Sequence, residues 1–519
     1  MYVLSPRVRL ILGVVGSVSI AVGSLGVGWL SPASSIQSWL LIDLLRNTRG
    51  AVAICGILVV GGALLLLAAW LALGVSLLRT RQGAADATTP KTESATDAAT
   101  ASKQASPLRQ VVTSAIAWGI PLLVTVPMFS RDMFAYVGQG RLMAAGMNPY
   151  TTGMADLPGW FALGVDPLWA DTQTPYGPVF VWLSKLTVMA TDALPTEVPI
   201  FIFRLLAAGG LAMLAYYAWR IARLRGLNEA GVLWIVAASP LVLMNFVVAG
   251  HNDGLMLGFI VGGVYYALKD RPILGTIFVA VAIGVKPIAL IALPIIGLIW
   301  AGQNAGWGAI IKRWLAVASI ALGGIAVLGW GLGIGIGWVS ALATPVTISS
   351  WYAPANILGI SVGGLANGVG LSGDITQEVF KLGMLGLGCT AAAYLVIAKR
   401  RVDPLWLLAG CFAVIMLSSP VLHPWYGIWL LTFFALAGVD RLWRIRVVVY
   451  STAFFMLIGL AEPFDLIPRF DHDTMIPVAV IGTALIGFAA ILIGTELTLK
   501  NRFPARVLAA PALRTRALR

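Results

Sequence analysis

The sequence predicts an all-α, polytopic membrane protein, and two observations carry that prediction. Hydrophobic residues make up 59% of the 519 residues and charged residues only 11%, against about 25% charged residues in an average soluble domain. So little charge cannot cover a soluble globule of this length with polar surface. The apolar residues also fall into long runs, and a helix needs roughly 20 such residues to cross a bilayer. A soluble protein is therefore excluded.

The apolar runs predict about 14 transmembrane helices, several of them short for a full crossing. The predicted spans are 10–30, 51–78, 111–129, 198–221, 230–249, 254–268, 273–285, 287–301, 314–336, 379–398, 405–419, 427–439, 447–460 and 475–494. The first run is long enough to span by itself and lacks a small-residue cleavage site, so it predicts a membrane helix rather than a signal peptide.

The distribution of basic residues predicts the orientation. The formal net charge of +13 comes from lysines and arginines that lie between apolar runs, which is typical of membrane orientation rather than of nucleic-acid binding. With the N-terminus in the cytoplasm and the spans alternating, 26 of the 35 Lys and Arg residues fall on the cytoplasmic side. The sequence thus predicts a multi-pass plasma-membrane protein with both termini cytoplasmic.

One segment of different composition divides the chain. Within 79–110, the stretch GAADATTPKTESATDAATASKQASP contains no aromatic and no large aliphatic residue, so it cannot bury enough apolar surface to offset the entropy of ordering. We therefore predict a disordered cytoplasmic linker at 79–110. It separates a two-helix membrane unit, 1–78, from a larger membrane domain, 111–495, which a basic cytoplasmic tail follows at 496–519.

The outer loops are predicted to contain interfacial helices. The longest stretches between spans are 130–197 and 337–378, and both fall on the outer face. Residues 133–146 read MFAYVGQGRLMAAG, which is apolar enough to lie along the membrane interface as an amphipathic helix. The run 179–190 cannot be a complete extra crossing in this topology, so it predicts a second interfacial or half-inserted helix.

Polar clusters map to the same outer face. They comprise Asp132, the turn His251-Asn252-Asp253, Lys286 inside an apolar run, Trp351-Tyr352, and the segment His423-Pro424-Trp425-Tyr426. A charged residue at bilayer depth costs roughly 2.5–3.5 kcal/mol on insertion scales, so an intramembrane ion is a functional hypothesis by default, and Asp132, Asp253 and Lys286 are the prime cases. Their convergence on one face is stronger evidence for a site than any single residue.

Each of these residues also has a structural interpretation. Asp132 can be a polar residue at the membrane boundary, and Asp253 and Lys286 can form a structural ion pair. The histidines can be satisfied by backbone groups, and the aromatic residues can belong to ordinary interface belts. The sequence leaves these alternatives open.

Other motifs predict no cofactor or metal chemistry. Cys55, Cys389 and Cys411 lie inside apolar runs without metal-ligand spacing, so we interpret them as buried thiols. Asp471-His472-Asp473 has the composition of a metal triplet but is three polar residues in a loop. The GLGIGIG run near Gly331 favours small-residue helix packing over a nucleotide loop.

The outer-face constellation is typical of lipid-linked group transfer. Cations can hold a phosphate, a carboxylate can act as general base toward an acceptor hydroxyl, and aromatic rings can pack against sugar rings. A transporter or lipid flippase would also use intramembrane charges, but transporter sites lie near the midplane at a junction of repeats. A non-catalytic scaffold would not explain Asp132 together with Lys286.

Several motifs resemble a known family. SRDMFAYVGQGRLMAAGMNPY, TPYGP, AGHNDG, VKP and SSPVLHPWY look like the actinobacterial polyprenol-phosphomannose-dependent α-1,6-mannosyltransferases of the MptB type, in the GT-C superfamily of glycosyltransferases. The resemblance covers most of the chain from about Val111 onward. It implies a GT-C catalytic membrane domain at 111–495. It also implies inverting transfer of mannose from polyprenyl phosphomannose to a lipid-anchored mannan, on the outer face and in the synthesis of the lipomannan core.

The resemblance also implies roles for individual residues. Asp132 becomes the catalytic base, although Arg131 stands where the family often has a second acidic residue. The donor phosphate is assigned to Lys286, His423, Arg141 and Arg204, and the sugars to His251, Asn252, Asp253, Tyr176, Trp351, Tyr352, Trp425 and Tyr426. A lipid phosphate is a good leaving group, so we predict no metal or other cofactor. The partners are membrane lipids and the two substrates, with no nucleic acid, and the chain is predicted to be a monomer.

Overall fold

The computed structural model describes residues 4–86, 106–343, 349–350, 352–461 and 475–502, and the described part is built from helices. The helices are α1 Pro6–Val27, α2 Leu40–Asn47, α3 Arg49–Asp86, α4 Pro107–Leu122, α5 Asp132–Ala144, α6 Pro178–Ala190, α7 Glu197–Leu224, α8 Glu229–Val236, α9 Asp253–Leu268, α10 Pro272–Val285, α11 Ala292–Ala301, α12 Trp307–Gly331, α13 Pro354–Gly368, α14 Gly373–Ala398, α15 Pro404–Ser418, α16 Tyr426–Ala437, α17 Leu442–Ala461 and α18 Met475–Arg502. Short turns of helix join some of them: Ser35–Ser38, Met154–Asp156, Trp160–Leu163, Pro167–Trp169, Pro240–Val242, Leu243–Val248, Pro287–Ile291 and Gly337–Ala343.

Seven helical stretches in the described part are long and apolar enough to cross a membrane. They are Pro6–Val27, Arg49–Leu78, Glu197–Leu224, Glu229–Val248, Trp307–Gly331, Gly373–Ala398 and Leu442–Ala461. Shorter apolar helices of 10–17 residues accompany them, among them α6, α9, α10, α15 and α16. These helices indicate a membrane-embedded protein of all-α class. The count of about 14 crossings stays a prediction.

Residues at the predicted linker boundaries are helical. Helix α3 continues to Asp86, and α4 begins after Ser106, whose Oγ accepts a hydrogen bond from the Arg109 N–H at 3.3 Å. Composition alone misplaced these boundaries because it ignored helix capping and the good helix propensity of Arg, Gln and Ala. Residues 87–105 of the predicted linker lie outside the described part of the chain.

The N-terminal helices pack tightly on the larger membrane domain. Trp70 of α3 and Trp234 of α8 stack with ring centroids 4.4 Å apart, and each indole N–H donates to the other residue's carbonyl, at 2.8 and 2.9 Å. Trp118 of α4 donates to the carbonyl of Leu10 at 3.1 Å and packs where Gly13 of α1 has no side chain. The two-helix unit and the larger domain therefore share one apolar core.

Two predictions about individual elements are wrong. Helix α5 does not expose one polar face as a predicted amphipathic helix would: all its residues except Arg141 and Ala144 are buried. Gly140 lets this helix approach the Ser184 backbone, where an added Cβ would lie 2.4 Å from the carbonyl oxygen. Cys389 is exposed rather than buried, whereas Cys55 and Cys411 are buried as predicted. An apolar sequence run does not tell an inward-facing position from one that faces lipid.

Candidate active site

Asp132 begins α5 after a sharp turn of the chain. Phe129 adopts a left-handed conformation, with φ of 65°, which is uncommon for a bulky residue and needs support from its surroundings. The backbone N–H of Asp132 donates to Ser130 Oγ at 3.1 Å. This turn aims the carboxylate toward the segments that carry the other predicted site residues.

The two carboxylate oxygens of Asp132 have different surroundings. Oδ2 accepts a hydrogen bond from the Tyr176 hydroxyl at 3.0 Å and lies 3.2 Å from Nδ1 of His251. Within the described residues, Oδ1 has no hydrogen-bond donor, and the side chain keeps 13% of its surface exposed. One oxygen is therefore held in place and the other is open to a ligand.

Asp132 is ionised at neutral pH. It lies outside the candidate spans. Burial raises the pKa of its carboxyl, but the hydrogen bond and attraction from His251, with the charge of Lys286, outweigh burial and hold the pKa below its usual range. The carboxylate is thus available as a proton acceptor.

The loop that carries Tyr176 is fixed against the end of α10. The Gly177 N–H donates to the carbonyl of Val285 at 3.0 Å, and the Tyr150 hydroxyl donates to the carbonyl of Tyr176 at 2.8 Å. The backbones meet so closely that a Cβ on Gly177 would lie 2.4 Å from the oxygen of Ile283. These contacts place Tyr176 beside Lys286, which follows α10 directly.

The turn His251-Asn252-Asp253 follows a π-helical turn, Leu243–Val248, an element common at functional sites. Gly250 has φ of 65° and leaves room for Met133 of α5, whose Sδ would lie 2.3 Å from an added Cβ. The backbone N–H of Asn252 donates to the Tyr136 hydroxyl at 3.2 Å. The turn is thereby held against the Asp132 helix.

Asp253 and Lys286 form an ion pair in which Asp253 is fully buried and Lys286 keeps 12% of its side chain exposed. Lys286 Nζ lies 3.0 and 2.8 Å from the two carboxylate oxygens of Asp253, and Trp429 Nε1 donates to Oδ1 at 2.8 Å. The ammonium also lies 5.6–6.0 Å from the ring centroids of four aromatic residues, Tyr176, Trp425, Tyr426 and Trp429. These rings stabilise the cation. The structural-pair interpretation of Asp253 and Lys286 therefore describes the geometry of this site.

The segment between α15 and α16 closes the site. The His423 ring stacks on the Trp425 ring with centroids 4.4 Å apart. The centroid of the His251 ring lies 3.6 Å from that of Trp425. Burial lowers the pKa of His423 to about 3, so its ring is neutral at pH 7 in the free site. The segment predicted to be an outer loop docks here as well, because the Leu422 N–H donates to Ser350 Oγ at 3.2 Å.

Of the two aromatic residues predicted in that outer loop, Tyr352 is buried beside the docked segment and Trp351 lies outside the described part of the chain.

Several polar atoms of this cluster are buried without a partner among the described residues. They are Nε2 of His251, both amide atoms of Asn252 and Nε1 of Trp425. Buried polar atoms are normally hydrogen-bonded, so each such atom calls for an explanation. Together they supply donors and acceptors of the kind that sugar hydroxyls satisfy.

The two arginines assigned to phosphate are engaged elsewhere. Arg204 is buried, and its guanidinium donates to the backbone carbonyls of Leu123 at 3.0 Å, Thr125, and Val248 at 3.0 Å. Arg141 lies 3.6 Å from exposed Asp192. Arg204 thus ties α7 to the end of α4 and to the π-helical turn, and the sequence could not show that backbone groups would occupy its donors.

Sequence reasoning missed Tyr136 and Trp429. Tyr136 lies four residues after Asp132 on the same face of α5, and Trp429 lies four residues after Trp425. Residues at this spacing are neighbours on a helix, so the helical period was the signal that could have found both.

The described residues contain no group of three or more His, Cys, Asp or Glu side chains that could hold a metal ion. Asp471-His472-Asp473 lies outside the described part of the chain, and metal independence stays a prediction.

Comparisons with known proteins identify the family of the chain. A family model described as "Alpha-(1->6)-mannopyranosyltransferase, N-terminal domain" matches residues 10–302, and one described as "MptB C-terminal domain" matches 355–493. An alpha-(1->6)-mannopyranosyltransferase A of Mycobacterium tuberculosis is 30% identical, over 80% of this chain and 78% of that protein. A probable alpha-(1->6)-mannopyranosyltransferase of Mycolicibacterium smegmatis is 27% identical, over 82% of this chain and 78% of that protein.

A further relative, alpha-(1->6)-mannopyranosyltransferase A of Corynebacterium glutamicum, is 30% identical over 76% of this chain and 81% of that protein. No solved structure matches the chain. The N-terminal family match covers more than half of the chain and contains Asp132, Tyr176, His251, Asp253 and Lys286. The chain belongs to the MptA/MptB family of alpha-(1->6)-mannopyranosyltransferases, and the prediction of a mannosyltransferase enzyme is confirmed.

Proposed function

We propose that the protein is an inverting α-1,6-mannosyltransferase that uses polyprenyl phosphomannose as donor and a lipid-anchored mannan as acceptor. The observation that carries the proposal is the open oxygen of Asp132 beside a cation. Tyr176 connects the two groups: its hydroxyl donates to Asp132 at 3.0 Å, and its ring centroid lies 5.9 Å from Lys286 Nζ. A base and a phosphate-binding cation are the groups that this transfer requires.

The reaction follows from these two groups. Oδ1 of Asp132 accepts the proton of the acceptor 6-hydroxyl as that oxygen attacks C1 of the donor mannose. The bond between C1 and the phosphate oxygen breaks, and polyprenyl phosphate leaves with the bonding electrons. Attack opposite the leaving group converts a β-linked donor into an α-linked product. No metal is needed for this step.

Lys286 has one N–H left for the phosphate. An ammonium carries three donors, and the two oxygens of Asp253 account for two of them at 3.0 and 2.8 Å. The ion pair with Asp253 is therefore compatible with phosphate binding, because it orients the third donor. A phosphate beside His423 would raise the pKa of its ring and let the ring donate as well.

The unpartnered polar atoms of His251, Asn252 and Trp425 would bind the hydroxyls of the transferred mannose. Tyr426 and the docked outer-loop segment with Tyr352 would line the path of the acceptor. We extend the proposal to a GT-C arrangement of about 14 spans, with the site on the outer face of the plasma membrane and both termini cytoplasmic. The charge asymmetry of the loops supports this orientation.

Reconstitution tests the activity. Purified protein in proteoliposomes should transfer mannose from polyprenyl phosphomannose to an α-1,6-mannoside acceptor, and linkage analysis should find a new α-1,6 bond. A flippase would move the donor across the bilayer without forming a glycosidic bond. Movement of the donor with no new bond would therefore support the transporter alternative and contradict the proposal.

Accessibility labelling tests the orientation. Single cysteines placed in 87–105 should stay unlabelled by an impermeant thiol reagent in intact cells and react after permeabilisation. The native cysteines are replaced first, since Cys389 is exposed. Ready labelling in intact cells would place the proposed site in the wrong compartment for an outer-face reaction.

A further inference from the structure

The loop that follows α1 supports the segment that leads into Asp132. The backbone N–H of Trp29 donates to the carbonyl of Pro127 at 2.7 Å, and the backbone N–H of Val126 donates to Ser24 Oγ at 3.0 Å. Gly28 makes this approach possible, since an added Cβ would lie 2.6 Å from the Val126 side chain. The N-terminal two-helix unit, whose role the sequence leaves unassigned, therefore touches the backbone just before the proposed base.

Arg131, next to Asp132, is held by the same loop. Its guanidinium carbon lies 3.4 Å from the centroid of the Trp29 ring, and its Nη1 lies 3.5 Å from Asp166 Oδ2. The Arg131 side chain is 21% exposed. A guanidinium at this distance stacks flat on the indole, in the arrangement that favours Arg over Lys.

The stack of Arg131 on Trp29 lies beside a turn whose backbone conformation is unfavourable by itself. Phe129 has φ of 65° two residues before Arg131, and such a conformation persists only where the surrounding structure holds it. Arg131 is also the residue after which α5 begins. A shift of its side chain would therefore move the first turn of the helix and the carboxylate that the turn carries.

We propose that Trp29 is a positioning residue for the transfer reaction: it stacks on Arg131 and so fixes the turn that aims Asp132. The N-terminal unit is then part of the active-site support rather than only a membrane anchor. This inference rests on the proposed function. It also gives a use to Arg131, which stands beside the base where a second acidic residue was expected.

Variants of Trp29 test the proposal in the full-length reconstituted protein. Trp29→Leu keeps an apolar side chain but removes the ring, so kcat should fall at least about tenfold while KM for the donor stays within about twofold, as expected for a misplaced base. Trp29→Phe keeps a ring under the guanidinium and should recover most of the lost kcat. Arg131→Lys should behave like Trp29→Leu, because a lysine cannot stack flat.

Two controls separate positioning from general stability. Trp118→Phe removes the hydrogen bond from Trp118 to Leu10, a different contact of the N-terminal unit, and should lower Tm with kcat unchanged. In an Asp132→Asn background, Trp29→Leu should have no further effect on residual turnover, because a residue that acts only through the base has nothing left to position.

Wild-type kcat in Trp29→Leu, or an equal further loss in the Asp132→Asn background, would overturn the inference. If the wild-type protein itself formed no mannosidic bond, the proposed function would fail first, so the two failures are distinguishable.

Discussion

Asp132 and Asp253 are two buried carboxylates in the same site, and their surroundings differ in one decisive respect. Both oxygens of Asp253 face Lys286, and one also accepts from Trp429, so this side chain has no exposed surface. Asp132 has only Oδ2 engaged, by Tyr176 and His251, and keeps 13% of its surface exposed. One carboxylate is closed by its partners and the other is left half open.

This difference in engaged oxygens indicates which of the two carboxylates can act as a base. A proton acceptor needs a carboxylate oxygen that is not already engaged, which Oδ1 of Asp132 provides, whereas both oxygens of Asp253 are held by Lys286. The closed carboxylate instead keeps a cation in place in a poorly hydrated cluster, where an unpaired charge would be costly. A charged residue in an apolar run therefore indicates a site, and the number of engaged oxygens indicates its role.

The largest expected effect is on the open carboxylate. Asp132→Asn keeps the shape and loses the basicity, so turnover should fall by about 10²–10⁴-fold while donor binding survives. Transfer and equilibrium binding of polyprenyl phosphomannose are measured on the same preparation. Asp171→Asn changes an exposed aspartate in the segment between α5 and α6; it is the matched control and should turn over normally. Wild-type turnover by Asp132→Asn would remove this residue from the mechanism.

The closed carboxylate should respond mainly in stability. Asp253→Leu leaves the largely enclosed Lys286 unpaired, and breaking a buried pair by removal of one partner costs up to about 3–5 kcal/mol. Thermal unfolding in detergent should show a lower Tm.

The double variant Asp253→Leu with Lys286→Met removes both charges and separates the two roles of the lysine. Its Tm should recover most of the loss, because no unpaired charge remains. Its affinity for polyprenyl phosphomannose should be lower than that of the wild type if Lys286 holds the phosphate. A double variant with normal donor affinity would leave Lys286 only its structural role.

The sequence predicted more of the candidate site than of the fold. Asp132, Asp253, Lys286 and the two histidines could be chosen because an ionisable residue in an apolar chain is conspicuous. What each residue contacts could not be read in the same way. Arg204 is as conspicuous as Lys286, yet three backbone carbonyls accept hydrogen bonds from its guanidinium, and a contact to backbone carbonyls leaves no mark in the sequence.

The fold was predictable where hydrophobicity alone decides it. Most predicted spans correspond to helices with ends within a few residues. The prediction failed where an apolar run packs against protein rather than lipid, as in α5. This helix is buried on all sides because Gly138 and Gly140 admit close neighbours. Composition cannot tell protein surroundings from lipid, since both are apolar.

The smallest expected effect is on the pH dependence of the open carboxylate. His251→Phe keeps a ring stacked on Trp425 and removes the hydrogen bond to Asp132. Burial, which raises the pKa of Asp132, then meets less opposition, so the carboxyl should protonate at higher pH than in the wild type. Activity should be lost as pH falls through this raised pKa, and the acidic limb of kcat/KM should move upward.

His251→Asn is the matched variant for this measurement, because its amide can donate to Asp132 from nearly the same place as Nδ1. Its acidic limb should stay close to that of the wild type. Both variants lose Nε2 of His251, so any loss of donor affinity should be similar in the two. If the limb moves equally in both, the hydrogen bond is not what holds the pKa of Asp132 down. If it moves in neither, a group other than Asp132 sets the acidic limb. An upward shift in His251→Phe alone would show that the hydrogen bond to Oδ2 keeps Asp132 ionised. Oδ1, the oxygen without a partner among the described residues, then remains available for the proton of the acceptor hydroxyl.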